Sequence, residues 1–424
     1  MIRAARSRWV GGLLFFVALP GHAMLGIFEH GNGIMSLGMG GLGYVIGQES
    51  TALSANPAHS GALGNRFDLG VNGFVPPAEV EFNGNGAGPD SRHRNSGRRY
   101  FAIPQGGFNR TLGPRWSIGM TAFSAGMGPD YRRNPYARFG GDTRASLFLS
   151  SAGIATALGY RLNDDHLLGA SLNLGYQSLA VEGIGVLGAV SRTPEKVSNQ
   201  GKDASASVGF SVGWRGQLTP RLLAGLSYRS KSWTEKHDDY RGLLPDQGRL
   251  ELPQIWGGGL AYVLHPSWRV GFDFQRYHYS SQVGFGNRIA QLDPENGLLL
   301  GDDEGAGFGF RNQNVYKFGV EWTATPRWAL RAGFIDATQA VSSSETLFAV
   351  FGPTTCTEHY TAGATRKGDV WDVSGFASWS PQKWVHGRDS IPESFGGGEA
   401  SVSVEVFSVG LTFARRFGGP DRHP

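Results

Sequence analysis

Strict alternation of large apolar residues with small or polar residues is the feature that most constrains the fold of this chain. In the stretch 168–177 the even positions carry Leu, Ala and Tyr, whereas the odd positions carry Gly, Ser, Asn and Gln. The same period of two recurs at residues 208–214, 268–275 and 407–414. Because successive side chains of a strand point to opposite faces, this pattern predicts many long β-strands. No mature segment has the roughly 20 consecutive apolar residues that a membrane-spanning helix needs.

Alternation of this kind fits either a soluble β-sandwich or a transmembrane β-barrel. Trp, Tyr or Phe often ends the apolar face near a turn, as in the aromatic girdles of barrels. Charged residues make up 17% of the chain, against about 25% in a typical soluble protein. Gly is abundant, with 65 residues, and aromatic residues reach 12%. The composition therefore favours an all-β transmembrane antiparallel barrel over the sandwich.

The first 23 residues have the pattern of a secretory signal peptide. Arg3, Arg6 and Arg8 precede an apolar run, which ends in the small residues expected at a cleavage site after Ala23. Three of the 39 basic residues and none of the 35 acidic ones lie in this segment, so the mature net charge is close to +1. Nucleic acid is therefore not implied as a partner. Export and barrel together predict the outer membrane of a Gram-negative bacterium.

Turn and loop lengths predict about 14 strands. Short Pro-containing turns, as at Leu112–Arg115 and Leu218–Arg221, alternate with long polar loops, as at Asn83–Gly97 and Gly284–Gly309. Bacterial barrels have short periplasmic turns and long external loops. The predicted strands begin near Phe67, Arg99, Arg115, Thr143, His166, Lys202, Arg221, Gln247, Trp268, Arg311, Arg327, Thr357, Asp369 and Ala400. The barrel is thus expected over residues 65–417, with a tail at 418–424.

The segment 24–64 is the one mature region that does not alternate. It is rich in Gly and precedes the first predicted strand. A segment of this kind can fold back into the barrel as a hatch, or plug, or it can be a periplasmic leader.

Several stretches resemble the outer-membrane long-chain fatty acid transporter family, which also includes aromatic-hydrocarbon uptake channels. The resemblance rests on the Gly-rich run 31–43, on Asn56-Pro57-Ala58, which matches the family's hatch motif, and on the stretches 252–262 and 317–334. It implies a 14-stranded barrel plugged by the hatch and passive uptake of hydrophobic compounds, which leave laterally through the wall. Two features depart from the family pattern. Residues follow Phe417, the aromatic residue that would end the last strand for recognition by the assembly machinery, and the external loop Glu182–Gly201 is short compared with the family's capture loops.

This interpretation carries specific expectations about residues and partners. The apolar hatch side chains that could line an inner pocket are Phe28, Ile34, Met35, Leu37, Met39 and Leu42. The cations that could hold a ligand carboxylate are Arg138, Arg229 and Lys317, although simple packing and structural ion pairs are the alternatives. The expected partners are a hydrophobic ligand, outer-membrane lipid and lipopolysaccharide, and the barrel-assembly machinery, and the expected state is a monomer.

Other chemistry receives little support from the sequence. Gly38–Gly43 fits a dinucleotide fingerprint, but no strand precedes it and no βαβ unit surrounds it. Asp164-Asp165-His166 falls in a predicted turn, and the single Cys356 can form neither an internal disulfide nor a Cys-based metal cluster. No catalytic residue, metal site or cofactor is predicted. A general diffusion porin and an outer-membrane hydrolase are the alternative functions.

Overall fold

The computed structural model of the protein describes residues 25–417, so the expected signal peptide and the tail 418–424 lie outside the described residues. The strands are β1 (Arg66–Val75), β2 (Ala78–Asn83), β3 (Ser91–Arg94), β4 (Phe101–Thr111), β5 (Trp116–Met127), β6 (Asp130–Tyr131), β7 (Ala145–Arg161), β8 (His166–Glu182), β9 (Asp203–Thr219), β10 (Leu222–Arg229), β11 (Trp233–Thr234), β12 (Ile255–His265), β13 (Trp268–Tyr277), β14 (Gln313–Thr325), β15 (Trp328–Ala337), β16 (Glu358–Lys367), β17 (Trp371–Val385) and β18 (Glu399–Arg416). The helices are α1 (Ile34–Leu37), α2 (Pro245–Gly248) and α3 (Thr346–Ala349), and the 3-10 turns are Ser50–Ser54, Pro57–Gly61, Pro135–Phe139, Gly185–Val190, Pro194–Lys196, Asp238–Tyr240, Tyr279–Ser281, Ile289–Gln291, Pro294–Asn296 and Glu393–Phe395.

Fourteen of the strands formed by residues 25–417 close into one antiparallel ring. Each wall strand pairs with its neighbours along the chain, and β1 closes the ring against β18, where Leu69 lies opposite Phe413. The short strands β2, β3, β6 and β11 extend the wall at the loop end. The predicted 14-stranded barrel is thus confirmed.

The alternating pattern divides the wall strands into a lipid face and a lumen face. On β8, Leu172 and Leu174 are more than half exposed, whereas Asn173 between them and Gln177 further along the strand are buried. This inverts the arrangement of a soluble sheet, because the apolar side chains face outwards and the polar side chains face the interior. Among the described residues, no helix is long and apolar enough to cross a membrane.

The predicted strand near Gln247 begins instead at Ile255. The residues before it fold into α2, in which Asp246 and Gln247 have left-handed dihedrals. Leu250 and Leu252 alternate with polar residues but are buried in the apolar core beneath the external loops. Alternation alone does not distinguish such a loop segment from the wall.

Residues 25–64, here called the hatch segment, pack against the inner face of the wall. The backbone N–H of Gly40 donates to Oγ1 of Thr361 on β16 at 2.9 Å, and that of Gly43 donates to Oδ2 of Asp273 on β13 at 2.7 Å. Gly40 and Gly41 have φ of +65° and +69°, which only Gly adopts at low cost. The Gly-rich run is therefore needed for the sharp path of the backbone against the wall.

Candidate functional site

Asn56, Pro57 and Ala58 fasten the hatch segment to the wall. The Asn56 Nδ2 donates to the carbonyl oxygens of Tyr44 at 2.8 Å and of Trp214 on β9 at 3.0 Å, while its Oδ1 accepts from the N–H of Ala58 at 3.0 Å. Pro57 begins a 3-10 turn, where its missing N–H leaves nothing unsatisfied. A side chain at Gly169 of β8 would overlap the backbone of Pro57 and Ala58. The motif is placed to anchor the hatch segment, away from the lumenal cavity described below.

The wall is interrupted between β4 and β5. The two strands pair from Gly107 opposite Thr121 to Thr111 opposite Ser117, and in the described chain residues 101–106 of β4 and 122–127 of β5 have no mutual pairing. Six residues of strand correspond to about 20 Å of wall on the external side. We call this interruption the window.

The hatch segment covers the window from inside. The N–H of Gly126 on β5 donates to the carbonyl oxygen of Ile27 at 2.8 Å, and Phe28 forms a bridge with Ala125. The Phe28 ring stacks on Tyr277 of β13, with 5.1 Å between centroids. The window is therefore filled by a few backbone contacts of the hatch segment, not by a continuous strand.

A cavity lies in the lumen beside the window. The residues that line it from the hatch segment, the window strands and the opposite wall include Phe28, Glu29, Tyr44, Ile103, Pro104, Gln105, Ala122, Phe123, Ser124, Ser227, Arg229, Ile255, Gln275, Tyr277 and Lys317. This lumenal cavity is bounded on one side by both unpaired strand segments.

Two of the three predicted carboxylate-binding cations meet in the lumenal cavity. The Arg229 guanidinium carbon lies 4.5 Å from the centroid of the Phe123 ring, and its Nη2 is buried without a hydrogen-bond partner. The Lys317 Nζ donates to the carbonyl oxygen of Gly41 at 3.1 Å. Among the described residues, no carboxylate lies within 4.0 Å of either cation, but Asp273 of β13 lies directly opposite Lys317 in the strand pairing, so Arg229 is the more available partner for an anionic ligand group.

Glu29 of the hatch segment also lines the lumenal cavity. Burial raises the pKa of this carboxyl to about 7, although hydrogen bonds from Asn72 and Gln105 favour the ionised form. The Gln105 Nε2 donates at 3.1 Å. The cavity thus contains one carboxyl that changes its charge near neutral pH.

Other lumen charges are used in structural contacts. Glu321 on β14 accepts from Arg269 at 2.6 Å, from Arg331 at 2.8 Å and from Gln48 of the hatch segment at 2.7 Å. Asp273 accepts from the backbone of the hatch segment. These contacts hold the hatch segment across the periplasmic half of the lumen, because Glu321 and Arg269 lie near the short turns.

The predicted apolar hatch residues separate into three groups. Phe28 lines the lumenal cavity. Met35, Met39 and Leu42 line a distinct small space within the hatch segment, and Ile34 and Leu37 pack against Phe376 of β17.

A second, apolar cavity lies under the external loops. It is lined almost wholly by aliphatic and aromatic side chains, among them Leu149, Leu179, Leu300 and Phe351. We call this space the loop cavity.

The third predicted carboxylate-binding cation, Arg138, lies elsewhere in the loops. Its guanidinium covers the Phe82 ring and donates hydrogen bonds to Pro89 and Ser91.

One grouping of Ser, His and Asp lies in the external region. Ser205 Oγ lies 3.1 Å from Nδ1 of His237, and Asp203 lies 3.7 Å from the same nitrogen, while Nε2 faces Gln177. A hydrolytic triad uses opposite ring nitrogens for the nucleophile and the acid. This group therefore lacks the geometry of a triad.

Sequence reasoning missed the window and the cavity residues Glu29, Gln105 and Phe123. One signal was present, because Pro104 stands inside the predicted strand β4, and Pro in a sheet is confined to edges and irregularities. The apolar lining of the loop cavity had a weaker signal, since Leu147 and Leu149 occupy positions of β7 that are small or polar nearer the periplasm.

Comparison with known proteins gives a consistent result. The family model described as outer membrane protein transport protein (OMPP1/FadL/TodX) matches residues 38–370. The structure resembles the Pseudomonas putida toluene transporter TodX at 16% identity and a TM-score of 0.69, covering 92% of this chain and 100% of that one. It resembles a Pseudomonas aeruginosa FadL homologue at 15% identity and a TM-score of 0.70, covering 93% of this chain and 100% of that one. It also resembles the Ralstonia pickettii toluene transporter TbuX at 19% identity and a TM-score of 0.64, covering 92% of this chain and 99% of that one. No curated protein sequence matches the chain. At these identities the structural likeness is one of fold.

Proposed function

Because the chain belongs to the outer membrane protein transport family OMPP1/FadL/TodX, we propose that it is a passive channel for hydrophobic carboxylic acids. The protein is an outer-membrane β-barrel, and its family consists of transport proteins that take up hydrophobic compounds. The proposal adds the class of compound and the path.

The observation that carries the substrate class is the pair of cations in the lumenal cavity. Arg229 is buried with an unsatisfied donor, whereas Lys317 donates to the carbonyl oxygen of Gly41 and lies opposite Asp273 of β13. A buried donor without a partner is costly, and a ligand carboxylate would satisfy it. A pure hydrocarbon would leave the buried Arg229 donor without a partner.

The proposed path begins in the loop cavity, continues to the lumenal cavity and ends at the window. The loop cavity favours capture because burial of apolar surface contributes roughly 25 cal/mol per Å². A hydrogen bond from Gln48 of the hatch segment to Glu321, which also pairs with Arg269 and Arg331, holds the hatch segment in the periplasmic half of the lumen. Displacement of Ile27 and Phe28 from β5 would open the window towards the hydrocarbon region, which suits a hydrophobic solute better than water.

A second candidate is a channel for uncharged aromatic hydrocarbons. The apolar lining of the loop cavity supports it, and two of the structural relatives are toluene transporters by name. Equilibrium binding of a long-chain fatty acid, its methyl ester and toluene to the purified protein separates the candidates. We expect the acid to bind about tenfold or more tightly than the ester, because a charge-assisted hydrogen bond is lost. Equal affinities, or tighter binding of toluene, would favour the hydrocarbon channel.

A general diffusion porin makes a different prediction. An open pore conducts small ions, whereas we expect planar bilayers containing this protein to show little conductance, because the hatch segment occupies the lumen. Large, steady conductance of the wild-type protein would support the porin.

A further inference from the structure

We propose that Arg98, Phe148 and Lys202 form a binding site for a phosphate group of lipopolysaccharide on the outer face of the barrel. The Arg98 guanidinium carbon lies 5.5 Å from the centroid of the Phe148 ring, and the Lys202 Nζ lies 5.3 Å from it. Two cations thus share one aromatic ring. This site is separate from both cavities of the proposed transport path.

The position of Phe148 places the site at the level of lipid headgroups. Phe148 has the same parity on β7 as Ile154 and Leu158, which are 44% and 46% exposed on the lipid face. Tyr176, an exposed aromatic residue on the lipid face of β8, pairs with Ala152 of β7. Four residues of strand separate Ala152 from Phe148, which puts the site about 13 Å beyond Tyr176 along the strand.

The two cations lack a protein counter-charge. Within residues 25–417, no carboxylate lies within 4.0 Å of the charged nitrogens of Arg98 or Lys202. Nη1 of Arg98 is buried without a hydrogen-bond partner. The acid on the same face, Glu182, accepts a hydrogen bond from Ser146. Neither cation has a protein counter-charge in the described chain, and a phosphate in contact with it would supply one.

A phosphate of lipopolysaccharide fits this place and this chemistry. The outer leaflet of the outer membrane carries phosphorylated lipid, and Arg presents a planar fork of donors that matches phosphate oxygens. Lys adds a second charge, as in many phosphate sites. Arg98 also follows Asn95 and Gly97, which hydrogen-bond to Asp130 above the window. A bound phosphate would therefore brace the external edge of the window.

The test compares the full-length protein in detergent with the double variant Arg98→Gln/Lys202→Gln. The probes are bisphosphorylated lipid A, the same lipid without phosphates, phosphatidylglycerol and inorganic phosphate. The control variant is Arg110→Gln/Arg115→Gln, which removes the same charge from exposed residues at the periplasmic rim. We expect the double variant to bind bisphosphorylated lipid A about 10- to 100-fold more weakly, and the control to bind it as the wild type does.

Several results would overturn the proposal. These are unchanged affinity in the double variant, an equal loss in the control, or equal binding of the phosphate-free lipid by the wild type. Inorganic phosphate that competes as strongly as lipid A would indicate a free-anion site, and equal binding of phosphatidylglycerol would indicate general attraction of anionic lipid. If the double variant does not fold, Phe148→Leu keeps both charges but removes the ring, and it should still weaken binding of bisphosphorylated lipid A. Unchanged binding in that variant would equally contradict the proposal.

Discussion

Replacement of Arg229 by Gln should selectively weaken the binding of hydrophobic acids. Arg229 is the cation of the lumenal cavity with an unsatisfied buried donor, and its main contact is the face of the Phe123 ring. A hydrogen bond between charged groups contributes about 1.5–3 kcal/mol, so the variant should lose about 10- to 150-fold in affinity for a long-chain fatty acid. The methyl ester of the same acid, which lacks the charge, should bind the variant and the wild type alike.

The assay is isothermal titration calorimetry of the purified protein with acid and ester in parallel. Arg415→Gln is a matched control, because Arg415 covers the Trp371 ring at 5.7 Å, outside the lumen, in a similar contact. Folding of each variant is checked by circular dichroism. The reasoning is refuted if Arg229→Gln binds the acid as tightly as the wild type, or if it loses acid and ester equally.

Three further predictions concern the hatch segment and the loops. Gly169→Ala should loosen the anchor of the hatch segment and raise ion conductance, because the added carbon overlaps the backbone of Pro57 and Ala58. The control Gly113→Ala, where the added carbon meets open space, should leave the conductance unchanged. Equal conductance of the two variants would count against the anchor. Affinity for a hydrophobic acid should fall as pH rises through about 7, because Glu29, whose pKa is raised to about 7 by burial, becomes anionic in the lumenal cavity. In calorimetric titrations at pH 6 and 8, Glu29→Gln should abolish this dependence of the affinity on pH. Leu179→Asn should slow uptake of labelled acid at low concentration several-fold, since it places a polar group in the loop cavity, and a normal initial rate would argue against capture there.

The barrel could be predicted from the sequence because its period of two is repeated over the whole wall. The predicted starts near His166 and Trp268 coincide with the observed strands, and that near Arg221 is one residue away. The start near Gln247 failed because Leu250 and Leu252 alternate as wall residues do but face a loop core.

The site could be predicted only in part because it depends on which groups meet across the lumen. Arg229 and Arg269 both occupy polar-face positions, yet Arg269 is paired with Glu321 and Arg229 has no such partner. Sequence spacing does not reveal this difference. The window could not be predicted from the sequence either, because residues 101–106 and 122–127 both have the pattern of strands although they do not pair with each other. Only Pro104 indicated a strand edge at this place.

Photo-crosslinking of a bound acid tests the central claim, that ligands leave the lumenal cavity through the window. A long-chain fatty acid with a photoreactive group at its apolar end is added to outer-membrane vesicles, irradiated and mapped by mass spectrometry. With the carboxylate held near Arg229, we predict labelled residues within 101–106 and 122–127 and at Ile27 or Phe28, all suppressed by excess unlabelled acid. Labels confined to the loop cavity, or found instead along the periplasmic side of the hatch segment, would contradict lateral passage between β4 and β5.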